Sequence, residues 1–224
     1  MNKVKSETIK NIQFSWVGKS TKERIMDAAI DLFSIKGYEA VSIREIARAV
    51  DIRESSIYNH YKGKDELMDT IIQHFIGELS RSDPEETPME VMLEKYGAEE
   101  FMNISASAYL QRLNQPRIAK IWRIISIELF RNDKVRNFFR TTIVEVPIAA
   151  WEQIFLKMIE LGYIRECDAN TLAKEFFYHC IYLYFDCFII SFDESTYETF
   201  TRNILEELAP HIKFIFDAVK TEEA

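Results

Sequence analysis

The sequence predicts an all-α protein of about nine helices. Three observations lead there. Apolar residues recur at steps of three and four along nearly the whole chain, and no stretch shows the alternation of a strand. Six Gly and five Pro in 224 residues leave too few tight turns for an all-β fold. The 47% hydrophobic content is that of a chain with a packed core, and the length suits one or two domains.

Each element has its own signals. Ile25, Ala28, Ala29, Leu32 and Phe33 share one face of a first helix, with Ser20 and Glu23 as a capping box and Gly37 as its stop. Ser42 and Glu45 make a second box, after which Ile43, Ile46, Ala47 and Val50 face inward. A short third helix spans about Arg53 to His60, with Ile57 as its buried member. Lys62 to Glu66 opens a longer helix carrying Leu67, Ile71, Ile72, Phe75, Ile76 and Leu79. A polar break with Pro84 follows. Thr87, with Pro88 and Glu90, then caps a helix running to about Leu113. Further helices read as Arg117–Phe130, Lys134–Leu161, Ala169–Phe192 and Thr196–Val219. Gly162 fits a C-cap, and Asp168 and Ser195 fit N-caps. Pro147 and Pro210 fall inside helices and should kink them.

Net charge is −8, but unevenly spread. Residues 1–75 carry 12 Lys+Arg against 11 Asp+Glu, and the remainder 16 against 25. The acidity therefore belongs to the C-terminal part and does not exclude a nucleic-acid partner for the N-terminal part. The cysteines Cys167, Cys180 and Cys187 give no disulfide framework and no metal-ligand spacing. The four histidines are dispersed, so neither a metal nor another cofactor is expected. No signal peptide and no membrane span is legible, which points to a cytoplasmic protein without a membrane partner.

The stretch Ser42 to Leu67 carries the chemistry. Two short helices meet at a tight turn near Val50 to Ile52, with the small Ala47 where they must cross closely. That is the layout of a helix-turn-helix, whose second helix lies in the DNA major groove. The residues Ser42, Ile46-Ala47, Ile52, Ser55, Ile57-Tyr58, His60-Tyr61, Lys64 and Leu67 resemble the TetR family of bacterial transcriptional regulators. So do Ala28 to Phe33 and Lys36-Gly-Tyr38 upstream. The similarity covers about residues 20–70, and Gly162 to Arg165 before Asp168 adds a looser match. There are departures. The family's turn usually holds Ala-Gly where this chain has Val50-Asp51, and its usual Ser cap is here Arg53. Aspartate tolerates the left-handed conformation better than most residues.

Lys3, Lys5, Lys10 and Lys19 against Glu7 make residues 1–19 a basic extension, and the resemblance implies a helix-turn-helix domain over 20–67 and a helical effector-binding and dimerisation domain over 68–224. Arg44 and Lys64 would meet phosphate near helix N-termini, with Lys62 adding a contact. Tyr58 and His60 sit at positions where the family's side chains reach phosphate. The exposed face of the third helix, with Arg53, Glu54, Ser55, Ser56 and Asn59, would read bases. The basic extension is either a disordered tail or an arm entering the minor groove.

The last two helices are apolar over a wide arc that includes Phe176, Phe177, Ile181, Phe185, Phe200, Ile204 and Leu208. A wide arc suggests a second packing partner. By resemblance these helices form a homodimer interface, and the dimer would read a pseudo-palindromic operator in double-stranded DNA. The middle helices are rich in large soft side chains. The resemblance implies a pocket for a small apolar or amphipathic effector, with Met92, Phe101, Tyr109, Trp122, Trp151 and Phe155 as walls. Tyr178, Tyr182 and Asp186 would be its polar handles. The implied function is a sequence-specific transcriptional repressor released by its effector. The alternative is a constitutive or architectural DNA-binding factor without one. No phosphate-binding Gly loop, nucleophile elbow or His-Glu-x-x-His helix is present, so an enzyme is not expected.

Overall fold

The structure, a computed structural model, describes residues 16, 18–80, 87–191 and 196–221, without the side chains of 112, 188 and 196–198. Among the described residues there are nine helical segments and no strand. The N-terminal extension, except for residues 16, 18 and 19, and the expected cap Ser195 lie outside the described residues.

The helices are α1 (Thr21–Lys36), α2 (Ile43–Val50), α3 (Glu54–Ile57), α4 (Lys64–Leu79), α5 (Met89–Leu113) and α6 (Pro116–Glu128). Helix α7 starts as Asp133–Phe138, continues as a π-helix over Phe139–Glu145 and returns to α-helix over Val146–Glu160. Helix α8 is Ala169–Phe185, extended by a π-helical Asp186–Ile190, and α9 is Thr196–Val219.

The local chemistry explains most of the ends. Ser20 and Glu23 form both bonds of the capping box on α1. Ser42 accepts from the Glu45 N–H, but the Glu45 carboxylate pairs with Lys36, so the second box is only half made. On α5 the expected box is absent. Pro88 is the N-cap, extended at ψ 141°, and caps without a side chain. Within α5, Gly97 takes φ 76° and ψ 173°, a kink that needs a residue without Cβ and that the periodicity did not reveal. Pro147 does not break α7. It stands near the start of Val146–Glu160, just after the π-helical stretch, where the Val146 N–H bonds to Thr141, five residues back. The widened turn accommodates the missing proline donor. Pro210 lies on the exposed side of α9 without ending it. Asp168 caps α8 through the N–H groups of Asn170 and Thr171, as the sequence suggested.

The chain divides into two compact units. The first comprises residues up to Leu79 together with Lys120–Glu128, so the body of α6 goes with the N-terminal helices. Its core is Ile25, Ala29 and Phe33 of α1, Ile46 and Val50 of α2, Ile57 of α3, and Leu67, Ile71 and Phe75 of α4, all at most 1% exposed. Ile121 of α6 is equally buried, and the Trp122 ring packs 5.6 Å from that of Phe75. Lys120 also bonds to Asp31 of α1 at 2.5 Å.

The second unit comprises Ser80–Ala119 and Leu129–Ala224. Helix α8 packs against α7 and α9, and α9 against α5. Phe200, Ile204, Leu208, Ile212, Ile215 and Val219 form the buried stripe of α9, the stripe expected from the sequence. Arg165 donates to the Ala218 carbonyl through its guanidinium, and its backbone N–H bonds to Val219, closing the end of α9.

Candidate nucleic-acid interface

The helix-turn-helix is built by burial on one side and exposure on the other. Ile46, Val50 and Ile57 are 0% exposed and Ala47 2%, so α2 and α3 meet tightly through small and branched residues. The turn between them rests on Asp51, at φ 59° and ψ 50°, the sole non-glycine with positive φ among the described residues. Its N–H bonds to the carbonyls of Ala47 and Arg48, and the Ile52 N–H reaches Ala47 at 3.0 Å. This is the left-handed C-cap that closes a helix before a sharp turn. Arg24 of α1 donates to the Val50 carbonyl at 2.8 Å and so satisfies another group at that end.

Arg53 is the N-cap of α3 and makes no side-chain cap bond, as its departure from a Ser cap implies. Helix α3 is correspondingly short. Regular helix ends at Ile57, and Tyr58 to His60 continue as turn, where the sequence reading extended it to His60. The His60 and Tyr61 N–H groups both bond to the Ile57 carbonyl. Tyr61 is 2% exposed and anchors the end of this turn, donating its hydroxyl to the Lys22 carbonyl.

The expected DNA-facing residues fall as follows. Arg44, Arg53, Glu54, Ser55, Tyr58, Asn59 and Lys62 are exposed, and Ser56, His60 and Lys64 are partly exposed. Tyr58 has 52% of its surface open. Arg48 was not singled out from the sequence. It is exposed, four residues after Arg44 on the same helix, and extends that cationic row. The i, i+4 spacing of the two arginines was the signal for it.

Lys64 is placed differently from the expectation of a phosphate-facing ammonium. Its Nζ donates to the carbonyls of Tyr38 at 2.9 Å and Val41 at 3.1 Å, and lies 4.1 Å from the centre of the Tyr38 ring. Tyr38 itself is 6% exposed and held on every side. Its hydroxyl donates to Asp65 at 2.6 Å, and its N–H to Glu128 Oε1 of α6 at 3.0 Å. Burial and the Asp65 carboxylate push the phenol well above its ordinary range. Glu128 is 1% exposed and was not legible as anything but a helix residue. The one hint was an acid flanked by the apolar Ile124, Ile125 and Ile127 on one side and Leu129 and Phe130 on the other.

The expected effector residues are divided between the two units. Trp122 belongs to the N-terminal unit and packs on Phe75. In the second unit Trp151, Phe155 and Phe176 form an aromatic group, with Trp151 4.7 Å from Phe176 and Phe155 0% exposed. Phe101 is buried, while Met92 and Tyr109 are partly so. Tyr178 and Tyr182 are 52% and 57% exposed on α8. Asp186 is partly exposed and accepts from the Ser191 hydroxyl at 3.1 Å, which settles how an acid is accommodated in that apolar helix. All three cysteines are free thiols, and burial pushes Cys180 up to about 12 and Cys187 to about 11.

A buried-core three-helix head with a left-handed turn and an exposed polar third helix defines the helix-turn-helix class. The profile described as "Bacterial regulatory proteins, tetR family" matches residues 25–71. Over that segment, about a fifth of the chain, the sequence is similar to the N-terminal DNA-binding domain of TetR-family regulators. It is 39% identical over 56 residues to a probable HTH-type transcriptional regulator, YttP, of Bacillus subtilis, covering 25% of this chain and 27% of that one. It is 37% identical over 65 residues to the biofilm operon icaADBC negative transcriptional regulator IcaR of Staphylococcus epidermidis, covering 27% and 35%. These matches thus span about a quarter to a third of the relatives' length. Over the whole fold, a transcriptional regulator from Aquifex aeolicus superposes with TM-score 0.62 at 24% identity, covering 88% of this chain and all of that one. A TetR-family regulator from Mesorhizobium loti superposes with TM-score 0.59 at 16% identity, covering 91% and 100%. At such identities the likeness is one of fold. Among the described residues no helix is long and apolar enough to cross a membrane, and no group of three or more His, Cys, Asp or Glu is disposed to hold a metal ion.

Proposed function

We propose that the protein is a homodimeric, sequence-specific DNA-binding repressor that an apolar small molecule releases from its operator. The observation that carries the reading is the two-sided helix-turn-helix. Ile46, Ala47, Val50 and Ile57 are 0–2% exposed, and the opposite side exposes Arg44, Arg53, Ser55, Tyr58, Asn59 and Lys62 together. Arg44, Tyr58, His60 and Lys62 would meet phosphates and fix the register. Arg53, Glu54, Ser55, Ser56 and Asn59 would meet base edges, where Asn suits adenine and Arg suits guanine.

Dimerisation is supported by what α8 and α9 leave uncovered. Tyr178, Tyr182, Ile189 and Phe214 are 45–71% exposed on these two helices. Side chains of this size and number favour a partner surface. A two-fold dimer would present two heads to a pseudo-palindrome. The effector site is assigned to the second unit, with Met92, Phe101, Tyr109, Trp151 and Phe155 as candidate walls. The effector would act by favouring the dimer state whose two heads no longer match the half-sites.

The test has two arms. In a mobility-shift assay the protein should bind a subset of duplexes with a 30-bp randomised core, and binding should fall steeply with salt, as phosphate contacts require. Equal affinity for every sequence would refute the specificity. In a thermal-shift screen of apolar aromatic compounds, at least one stabilising compound should also release the bound duplex. Stabilising compounds that never affect DNA binding would instead favour a constitutive factor.

A further inference from the structure

We infer that Lys64 is a positioning residue, a clasp that closes the helix-turn-helix at its base, rather than a contact to DNA phosphate. Val41 directly precedes Ser42, the N-cap of α2. Lys64 is the first residue of α4 and follows the short link Tyr61-Lys62-Gly63 that leads out of the recognition turn. The bond from Lys64 Nζ to the Val41 carbonyl, 3.1 Å, therefore joins the two ends of the motif across 23 residues of chain. The bond to the Tyr38 carbonyl, 2.9 Å, ties the same ammonium to the exit of α1. An ammonium has three N–H donors, and these two carbonyls occupy two of them.

The Tyr38 ring fixes the direction of the third side of the contact. Nζ sits 4.1 Å from the ring centre, within the range of a cation–π attraction. The ring in turn cannot swing away. Its hydroxyl is held by Asp65, the residue after Lys64, and its edge packs against Phe33 at 5.3 Å. Its backbone N–H is held by the buried Glu128 carboxylate. Lysine suits this place because a compact, rotatable point charge can serve two converging carbonyls and a ring face together. A phosphate contact has a different requirement, an ammonium projecting outward with at least one donor aimed at solvent.

What the clasp secures is the angle of α3. That helix is one turn long, has no side-chain cap at Arg53 and grades into turn after Ile57. It has little rigidity of its own. Its orientation depends on Ile57 and Tyr61 in the core and on the anchoring of the link that follows. Releasing that anchor would let the reading side chains shift without removing any of them from DNA.

The two roles separate by salt dependence. The DNA arm of the test rests on the DNA-binding reading. The probe is a duplex recovered by the wild-type protein from a randomised pool, so a failure to recover any duplex counts against that reading and not against the clasp. Lys64→Met keeps the aliphatic stem and removes the charge. A clasp predicts a loss of about tenfold in affinity, the value of roughly one charge-assisted hydrogen bond, with the slope of log affinity against log salt unchanged. A phosphate contact predicts a slope shallower by about 0.9 per protomer. A shallower slope, or unchanged affinity, overturns the proposal. Lys64→Arg keeps the charge and serves where the Met variant does not fold. The clasp predicts a loss with Arg as well, since a planar fork does not fit the two carbonyls and the ring. Full retention of affinity by Arg overturns it. Without DNA, hydrogen exchange of amides in residues 42–46 and 64–68 should quicken in either variant. Unchanged exchange overturns the clasp whatever the DNA result.

Discussion

Replacing Asp51 is the most direct way to test the turn on which the reading head depends. Asp51 is exposed, so its side chain contributes little packing, and its effect on stability comes from the backbone. At φ 59° and ψ 50° it lies in the left-handed region. An ordinary L-residue there loses about 1–2 kcal/mol, and Asp or Asn less because its short polar side chain bonds locally. Glycine has no such loss, but it gives up about 0.5–1 kcal/mol through the freedom of its unfolded chain. Asp51→Gly should therefore gain roughly 0.5 kcal/mol, and Asp51→Val, β-branched, should lose about 1–2 kcal/mol. For a chain of this size 1 kcal/mol moves the melting temperature by about 2–4 °C. Thermal unfolding followed by circular dichroism should thus separate Gly from Val by roughly 3–10 °C. Asp51→Asn is the control for charge and should melt within about 1 °C of wild type, since Asn shares the tolerance of Asp. Equal melting of the Gly and Val variants, or a Val variant more stable than the Gly variant, would refute the assignment of a strained left-handed cap.

Three further outcomes are expected. Tyr58→Ala and Arg44→Ala should weaken binding to all duplexes alike and make it less salt-dependent, whereas Asn59→Ala should relax preference at one position of each half-site, read by sequencing the bound pool. Glu128→Ala should lower stability by about 2–4 kcal/mol in urea titration, because it strands the Tyr38 N–H and leaves a void in a site only 1% exposed. Glu128→Gln, which keeps an acceptor, should lose less than half as much. Burial, together with the stacked His179 ring 4.0 Å away, holds the His211 imidazole below its ordinary range. The unfolded chain then binds a proton first, so stability is full above about pH 6.5 and falls as the pH drops through that value. His211→Gln should flatten that decline in a pH series of unfolding midpoints.

What the sequence made legible follows from how local each signal is. The buried stripes of α1, α2 and α9 and the caps at Ser20 and Asp168 depend on residues within a turn or two of each other, and the structure agrees with them. The tolerance of Asp51 for its cap was legible for the same reason. The kink at Gly97 and the π-helical stretch before Pro147 were not, since a lone Gly or Pro in a periodic run has several outcomes that packing decides. The site divides in the same way. The exposed Arg44, Tyr58 and Asn59 follow from the helical period. The inward turn of Lys64 does not, because its partners Tyr38 and Val41 lie 26 and 23 residues away. The Glu45 carboxylate is a smaller case, drawn from its local box to Lys36, nine residues away. Glu128 is the extreme case, 90 residues from the N–H it accepts.

The measurement that bears most directly on the central claim is selection of duplexes from a randomised pool by the full chain at physiological salt, with the recovered molecules sequenced. A homodimeric helix-turn-helix repressor predicts enrichment of one sequence family with two inverted half-sites about one helical turn, or a multiple of it, apart. Recovery of sequences without inverted symmetry would contradict the two-headed reading, and a pool that stays random would contradict sequence-specific DNA binding itself.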